Sequence, residues 1–409
     1  MREPLARLAW LLAAVALSLP PAPVGAEEIG PEADWCAAIR TLAPGGELVL
    51  RPGDYPGPCT VRRGGSPDAP ITIRAKDLAQ RPRLVYLGRE ANVLNIRAGH
   101  LVIRGLEFGP TASNVDAIRI YEGDGVTIED SRFADVGGIA LVANHASLRG
   151  LTVRRNEIVQ SKATALYFGC HDGAACVVSD LLVEQNYIQG VTAPADLVGY
   201  GVQVKLNSTA IIRDNVVVDT KGPGIMVYGA RDPARASVVE RNYAAGSRTS
   251  AGIVVGGGPV LVRNNVATGS VQGGILVEDY ARRGLLRGVV VTHNTVHGNG
   301  QGGILVLGEG RLDVTIVNNA VHAPPGTLAL PPGRIGVFSE GNVDCSTLPC
   351  FLAPHLRDFS PLVLKPGSVT VEAWAPPDDY FGRKRGVPPV VGAIEGSAGP
   401  LPLGIKASP

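Results

Sequence analysis

Short alternating runs of apolar and polar residues recur along the chain, and many follow the pattern Gly-Ile-x-Val-x, where x varies. An alternation with a period of two residues is typical of β-strands. Clear copies begin at Gly224, Gly252, Gly274 and Gly303, and more divergent copies begin at Ala117, Gly138, Ala165 and Gly201. A second short strand follows each copy and ends in Asn-x-apolar. The key position of that ending is occupied by Ser131, Asn156, Asn186, Asn215, Asn242, Asn265, Asn294 and Asn319.

This repeat, with a period of 23 to 30 residues, predicts an all-β solenoid. A βαβ unit needs about 30 residues or more, a propeller blade needs about 40, and no copy contains a helical stripe. We therefore expect one coil of parallel strands with about ten rungs, in which equivalent residues stack in columns. The recurring Asn is expected to form a ladder at one corner, where Asn tolerates left-handed geometry and bonds neighbouring backbone.

The segments outside the repeat predict a leader, a cap and a tail. Residues 1–26 combine a basic start, an apolar stretch too short to span a bilayer and a small-residue cleavage site, which is typical of a secretory signal peptide. Residues 27–60 are expected to form the N-terminal cap and first strand, with a helix over 35–42 that begins after an N-cap at Asp34. The β-helix is expected over 61–321, and an irregular, proline-rich tail or cap over 322–409.

Removal of the predicted leader affects the charge balance, and export affects the expected state of the cysteines. Removal of Arg2, Arg7 and Glu3 with the leader changes 38 basic and 37 acidic residues to 36 of each, so the net charge is zero. We therefore expect no general attraction to nucleic acid or anionic lipid. The leader and the lack of a later long apolar stretch predict a secreted or periplasmic protein without a membrane span, and we expect it to be a monomer. Six cysteines allow fifteen connectivities. Three local bridges are the simplest interpretation in an oxidising compartment: Cys36–Cys59, Cys170–Cys176 and Cys345–Cys350.

Several segments resemble a known superfamily. Residues 42–55, LAPGGELVLRPGDY, resemble the opening of right-handed parallel β-helix proteins related to pectate lyases. Residues 66–75, SPDAPITIRA, are similar to the chondroitinase B and alginate lyase branch, and residues 365–368 and 391–395 also fit it. The resemblance covers most of the mature chain and implies a right-handed coil. It does not fix the function, because this fold carries lyases, hydrolases, epimerases and non-catalytic proteins.

The variable positions of the repeat are expected to face outward, because the Ile and Val point inward. The first outward column is Arg119, Ala140, Tyr167, Gln203, Met226, Val254, Leu276 and Leu305. The second is Tyr121, Val142, Gly169, Lys205, Tyr228, Gly256, Glu278 and Leu307. Polar groups concentrate on three successive rungs, from Tyr167 to Tyr228. His171 and Asp172 begin the turn after Tyr167, inside the loop of the second cysteine pair.

Such a row suits a linear acidic polysaccharide. β-Elimination on a uronic acid needs a base for the C5 proton, an acid for the leaving oxygen and a group that neutralises the carboxylate. We expect Lys205 to be the base and Tyr228 or Tyr167 the proton donor. Gln203, Arg119 or a metal ion is expected to hold the carboxylate. The remaining candidates for substrate binding are Tyr121, His171, Asp172 and Glu278.

The family resemblance supports Lys205. Residues 202–208, VQVKLNS, resemble the segment that carries the catalytic lysine of the chondroitinase B and alginate lyase family. One rung later this family has an arginine, whereas the matching stretch here, residues 226–229, MVYG, has none. The family's acidic calcium ligands are replaced by Val198 and Tyr200, and Asp196 is the only nearby acid. Calcium is thus the cofactor that the resemblance implies, while the residues themselves assign no metal ligand.

Three functions stay open from the sequence. A polysaccharide lyase is preferred; a uronate C5-epimerase abstracts the same proton without cleavage, and a non-catalytic glycan-binding or envelope protein needs no turnover. Hydrolysis is less favoured, because no outward pair of carboxylates appears in adjacent rungs. A structural role in the loop is the preferred interpretation of His171 and Asp172. Residues 278–283, EDYARR, indicate a surface charge cluster.

Overall fold

The computed structural model describes residues 25–231, 235–364 and 375–406 and shows a coil of parallel strands. The expected signal peptide lies outside the described residues except for Gly25 and Ala26, and so does the 365–368 segment. Each full turn of the coil contributes one strand to each of three parallel sheets, which the chain visits in the order first, second, third.

The three sheets contain most of the strands in the described residues. The first contains thirteen strands: Ala26–Ile29, Glu47–Leu50, Ile71–Ala75, Leu101–Arg104, Thr127–Glu129, Thr152–Arg154, Leu181–Glu184, Ala210–Arg213, Ser237–Glu240, Val260–Arg263, Val289–Thr292, Val314–Val317 and Val337–Glu340. The second contains twelve: Asp54–Pro56, Arg83–Tyr86, Glu107–Thr111, Arg132–Val136, Glu157–Ser161, Tyr187–Val191, Val216–Thr220, Tyr243–Ala245, Val266–Thr268, Thr295–His297, Ala320–His322 and Val343–Asp344. The third contains ten: Cys59–Val61, Leu94–Arg97, Ile118–Glu122, Leu141–Ala143, Leu166–Phe168, Val202–Val204, Ile225–Val227, Ile253–Val255, Gly273–Glu278 and Gly302–Leu307.

A few short elements lie outside these sheets. Leu148–Arg149 pairs with Val178–Ser179 in parallel, and Phe351–Ala353 pairs with Asp358–Pro361 in antiparallel fashion. The helices of the described ranges are an α-helix, Trp35–Thr41, and two single 3₁₀ turns, Tyr280–Arg282 and Pro354–Leu356.

The predicted solenoid is confirmed, but the expected count of about ten rungs is wrong, since the first sheet has thirteen strands. The third sheet, which carries the Gly-Ile-x-Val-x strands, has ten. Earlier strands such as Ile71–Ala75 keep the alternation of buried and partly exposed residues but lack the glycine and asparagine marks of the repeat. The first sheet also continues beyond the last marked copy with Val337–Glu340. The motif therefore labels only part of the coil.

The Ile and Val of the repeat form the interior of the coil, as expected. In Ile225–Val227 and Ile253–Val255 the first and third residues are fully buried and belong to one core that continues through the turns. The strands pair in register, so that Ile225 lies beside Val202 on one side and Ile253 on the other. A residue's neighbours in space are thus its equivalents on adjacent turns, about 4.8 Å away.

A ladder of asparagines holds this register at the corner between the first and second sheets. The side-chain oxygen of Asn215 accepts hydrogen bonds from the backbone N–H and the amide of Asn186, both at 3.0 Å. The Asn215 amide donates in turn to the side-chain oxygen of Asn242 at 2.9 Å. The predicted ladder is confirmed from Ser131 onward, and it continues to Asn342.

Left-handed backbone lies one residue before each ladder position rather than at it. Asp214 and Arg241, which precede two ladder asparagines, have φ angles of 58° and 54°. The expectation of left-handed geometry at the asparagine itself is therefore wrong. The preceding residue makes the bend, and the asparagine supplies the hydrogen bonds between turns.

A short helix covers the start of the coil, as predicted, and ends one residue earlier than expected. The side chain of Asp34 accepts a hydrogen bond from the Ala37 N–H at 2.9 Å and so caps the helix. The side chains of Trp35 and Ile39 are the buried face of this helix. The disulfide Cys36–Cys59 ties the helix to the first strand of the third sheet.

The described part of the tail packs along the outside of the second sheet. Phe359, Tyr380 and Val391 belong to a separate apolar cluster together with Val216 and Tyr243 of that sheet. Near its end the buried ammonium of Lys406 donates to Asp214 at 2.8 Å. The tail is thereby fixed to the side of the coil.

All six cysteines form disulfides in the three predicted local pairs. Disulfides persist in oxidising compartments. In the described ranges, no helix has the length and apolar character that crossing a membrane requires.

We expect the Asn215→Ala variant to lower the free energy of unfolding by about 3 kcal/mol or more. It leaves several buried donors and acceptors without partners, at about 1–3 kcal/mol each. Urea unfolding followed by circular dichroism measures the change. Asn342→Ala is the matched control at the partly exposed end of the ladder, where water replaces the lost bonds. An equal loss in both variants contradicts this account of the ladder.

Candidate active site

A cleft of about 320 Å³ opens on the outer face of the third sheet. Three successive strands form its floor, and they are Leu166–Phe168, Val202–Val204 and Ile225–Val227. The structure brings five of the sequence-predicted site residues to this cleft: Tyr167, His171, Gln203, Lys205 and Tyr228. Further walls come from residues 196–200 and from Tyr280.

Lys205 lies at the floor of the cleft, and only 2% of its surface is exposed. Its Nζ is 3.2 Å from His171 Nδ1, 4.2 Å from the centre of the Tyr228 ring and 5.5 Å from that of Tyr167. Within the described residues its ammonium has no carboxylate partner. Burial, with a smaller contribution from the charge of Arg283, lowers the pKa of Lys205 to about 8. The amine is therefore mostly neutral above about pH 8.

Tyr228 is enclosed by other side chains. Its hydroxyl lies 3.0 Å from the Tyr200 hydroxyl and accepts a hydrogen bond from Gln203 Nε2 at 3.1 Å. Its ring meets the ring of Tyr280 edge to face, with 4.7 Å between centres. Burial, reinforced by Tyr200, raises the pKa of the Tyr228 phenol far above its ordinary value. The Tyr228 side chain is thus protonated and held in a fixed position beside Lys205.

Tyr167 is the more accessible of the two predicted proton donors. Its side chain is partly exposed in the cleft, and its hydroxyl makes no hydrogen bond within the described residues. Burial, followed by the neighbouring Tyr200, raises the pKa of the Tyr167 phenol. This hydroxyl is therefore protonated at neutral pH and available to a ligand.

The disulfide Cys170–Cys176 closes the loop that carries His171 and Asp172. Asp172 accepts hydrogen bonds from the backbone of Ala174 (2.9 Å) and Ala175 (3.3 Å), so it shapes the loop. His171 is exposed and bonds Lys205. It therefore connects the buried amine with solvent.

A loop from a later turn forms the far wall of the cleft. Residues 279–288 follow the strand Gly273–Glu278 and fold back over residues 256–258, so that Tyr280 reaches Tyr228. Glycine is required under this loop. A Cβ on Gly257 would lie 2.8 Å from the Cβ of Leu285, and a Cβ on Gly258 would lie 2.0 Å from the carbonyl oxygen of Arg287. The Gly258 N–H donates to the Leu285 carbonyl at 2.8 Å and fixes the loop in place.

Arg119, Tyr121 and Glu278 do not line this cleft. The guanidinium of Arg119 pairs with Asp116 at 2.6 Å and donates to Asn144 at 3.1 Å. The Tyr121 ring lies 4.1 Å from the guanidinium of Arg97. Glu278 borders a separate hollow, and burial raises the pKa of its carboxyl group.

Two positions of the expected columns are wrong. Val142 lies beside Arg119 and Tyr167, so it takes the place in the first outward column that the repeat predicts for Ala140. Asn144 then takes the place in the second column that was expected for Val142. The copy that begins at Gly138 has two extra residues before its strand, and the glycine mark does not reveal them.

Sequence reasoning missed three contributors to the cleft and its surroundings, which are Tyr200, Tyr280 and Arg283. All three lie on loops that fold against neighbouring turns, so the alternation of the strands carries no information about them. One signal is present in the sequence. Residues 256–258 are three consecutive glycines, the first of which belongs to the second outward column. Three residues without side chains on an outer surface indicate that another segment of the chain packs against them.

The residues beside Lys205 do not fit a calcium ion. Ca²⁺ takes about six to eight oxygen ligands, whereas Val198 offers an apolar side chain and the Tyr200 phenol bonds Tyr228. Asp196 has the one carboxylate among the described residues that line the cleft. The described residues also contain no group of three or more acidic, His or Cys side chains arranged to hold a metal.

Known proteins share this fold. A family described as "Right handed beta helix region" matches residues 116–287, and no curated protein matches the sequence. Among solved structures, XylC in complex with xylose aligns with a TM-score of 0.63 at 10% identity, covering 91% of this chain and 99% of its own. The A-module of the Azotobacter vinelandii mannuronan C-5 epimerase AlgE4 has a TM-score of 0.53 at 14% identity, covering 77% and 89%. An alginate lyase from Paenibacillus sp. str. FPU-7 has a TM-score of 0.50 at 13% identity, and the alignment covers 69% of this chain and 99% of the lyase. The right-handed parallel β-helix expected from the sequence is confirmed.

We expect one lysine of the folded protein to titrate near pH 8, because burial opposes the charge of Lys205. The measurement is the pH dependence of the Cε signals in NMR spectra of protein labelled with [¹³C]lysine. The signal should disappear in Lys205→Met and persist in the matched variant Lys162→Met, which replaces an exposed lysine. A midpoint for Lys205 near the ordinary lysine value contradicts the electrostatics described here.

Proposed function

We propose that this chain is an exported polysaccharide lyase that cleaves an acidic, uronic-acid-containing polysaccharide by β-elimination. The observation that carries the proposal is a buried lysine without a carboxylate partner at the floor of an outward cleft, with its pKa lowered to about 8. Such an amine is suited to take the proton at C5 of a uronate near neutral pH. The three disulfides support export into an oxidising compartment.

Lys205 acts as the base. Its neutral amine forms a new N–H bond as the C5–H bond breaks, and the electron pair spreads into the adjacent carboxyl group of the sugar. His171 Nδ1, at 3.2 Å from Nζ, then receives the proton from Lys205 and passes it to solvent. The exposed position of His171 supports this route.

Tyr167 acts as the acid. The electron pair at C5 forms the C4–C5 double bond as the C4–O bond breaks, and the Tyr167 hydroxyl gives its proton to the departing oxygen. Water then returns a proton to the phenolate. Tyr167 is preferred to Tyr228, because the Tyr228 hydroxyl is already held by Tyr200 and Gln203.

A uronate C5-epimerase is the second candidate. It shares the first proton transfer, and the Tyr167 hydroxyl, which makes no hydrogen bond within the described residues, is then the group that returns a proton to C5. Glycoside hydrolysis fits less well. That reaction needs a pair of carboxyl groups, and Asp196 is the one carboxylate at the described lining of the cleft.

Incubation with alginate, pectate and glycosaminoglycans is expected to give an unsaturated product from at least one polymer, detected by its ultraviolet absorbance. The rate should rise with pH and level off above about pH 8, because a protonated Lys205 cannot accept a proton. Lys205→Met should lower kcat by about 100-fold or more, while Lys162→Met keeps the activity of the unaltered protein.

Absence of the unsaturated product from every polymer in the panel overturns the lyase assignment. Uptake of deuterium at C5 from heavy water without chain cleavage instead supports the epimerase. Binding of a polymer with neither reaction supports a glycan-binding protein.

We expect Tyr167→Phe to lower kcat by about 100-fold with little change in KM, since the ring remains while the transferable proton is lost. Tyr86→Phe is the matched control, because that tyrosine lies in the second sheet, outside the cleft. Steady-state kinetics on the polymer found above measure both variants. An unchanged kcat in Tyr167→Phe shows that another group protonates the leaving oxygen.

A further inference from the structure

A second cleft of about 500 Å³ lies beside the loop formed by residues 279–288. Three arginines line it, Arg231, Arg283 and Arg287, and no described lining residue is acidic. The rest of the lining is small or apolar and consists of Ala230, Gly258, Pro259, Gly284, Leu285 and Gly288. A concave site whose described lining side chains include three cations and no carboxylate attracts negatively charged ligands.

The three guanidinium groups have no ionic partner within the described residues. Several arginines elsewhere on the outer walls pair with a carboxylate on an adjacent turn, as Arg154 does with Glu129 at 2.7 Å and Arg213 with Glu184 at 2.7 Å. Within the described residues the three arginines of the second cleft lack such pairing and lie together in one hollow, so their charges are available to a ligand.

Arg283 carries a polar atom that no described residue satisfies. Its Nη1 is buried and has no hydrogen-bond partner in the described part of the chain, and its guanidinium lies 5.2 Å from the centre of the Tyr280 ring. A buried donor without a partner costs free energy, which favours any rearrangement that brings it an acceptor. Guanidinium groups bind carboxylates and sulfates through paired N–H donors.

The backbone of the second cleft is fixed in advance of binding. Asp279 accepts hydrogen bonds from the Gly284 N–H, the shorter at 2.9 Å, and Asp313 accepts one from the Gly288 N–H at 2.8 Å. On the opposite side, Asn207 accepts a hydrogen bond from the Arg231 N–H at 3.0 Å. Preorganisation of this kind reduces the entropy lost on binding.

The second cleft adjoins the Lys205 cleft. Tyr280 lines the Lys205 cleft and stacks against Arg283, which lines the second one. Arg283 is also close enough for its charge to act on Lys205. The two clefts are therefore neighbours that share the loop formed by residues 279–288.

We propose that Arg231, Arg283 and Arg287 form an oxyanion subsite, which binds the carboxylate or sulfate of a sugar adjacent to the one over Lys205. The subsite deepens the proposed function and rests on it for the identity of the polymer. It explains how a protein with a net charge of only +1 holds a polyanion, because the attraction is concentrated in one cleft.

Isothermal titration calorimetry with defined hexasaccharides tests the subsite. All variants are made in a Lys205→Met background, so that no oligosaccharide is consumed. Arg231→Gln/Arg287→Gln removes two exposed cations and should weaken the binding of anionic hexasaccharides by at least about tenfold, the effect of losing one charge-assisted hydrogen bond. Arg62→Gln/Arg89→Gln is the matched control, since these exposed arginines also lack an ion pair and lie on earlier turns.

The choice of hexasaccharides separates the two sources of the oxyanion. Unsulfated chondroitin, polygalacturonate and alginate present carboxylates, chondroitin sulfate adds sulfate esters, and xylohexaose is the neutral reference. A loss of affinity for the unsulfated ligands identifies a carboxylate, and a loss confined to chondroitin sulfate identifies a sulfate. Binding of xylohexaose should not change.

The outcomes separate this proposal from the proposed function. Equal affinity of the two double variants for every anionic hexasaccharide overturns the subsite, even where the unaltered protein is a lyase. Failure of the Lys205→Met protein to bind any of them also overturns it. A selective loss in Arg231→Gln/Arg287→Gln supports the subsite even where no unsaturated product is ever formed.

Discussion

In-register stacking of parallel turns is the constraint on which the rest of this structure depends. Because each strand lies about 4.8 Å from its equivalent, a column of side chains is also a row of neighbours in space. The ladder through Asn186 and Asn215 maintains this spacing from inside the coil. The contacts of Lys205 with the rings of Tyr167 and Tyr228, one turn to either side, follow directly from it.

Two buried lysines show how the protein treats charge differently in different places. Lys406 is buried and bonds the carboxylate of Asp214, so its charge is compensated and its role is to hold the tail. Lys205 is also buried but has aromatic rings and an imidazole as neighbours. A buried cation without an anion lowers stability. The coil accommodates this cost because its register and core are fixed by many other contacts, and the result is an amine that loses its proton readily.

Features that depend on the regular strands can be predicted from the sequence, whereas residues that loops place in the cleft cannot. The solenoid, the ladder, the disulfide pairs and the grouping of Tyr167, Gln203, Lys205 and Tyr228 all follow from local alternation and fixed spacing, and the structure confirms the fold. Val142 and Asn144 escaped prediction, because two extra residues after Gly138 shift the register without changing the motif. Tyr200, Tyr280 and Arg283 escaped it for a different reason, since each reaches its place by a loop that folds against another turn.

The three glycines at 256–258 have a consequence for the recognition of similar proteins. They are the floor on which the Tyr280 loop rests, and any side chain at Gly257 or Gly258 would collide with that loop. A related sequence that keeps a lysine at the position of Lys205 but has larger residues there must have a different wall beside its lysine. The tripeptide, together with the lysine two turns earlier, is therefore a compact signature by which chains with the same cleft can be distinguished from other β-helices.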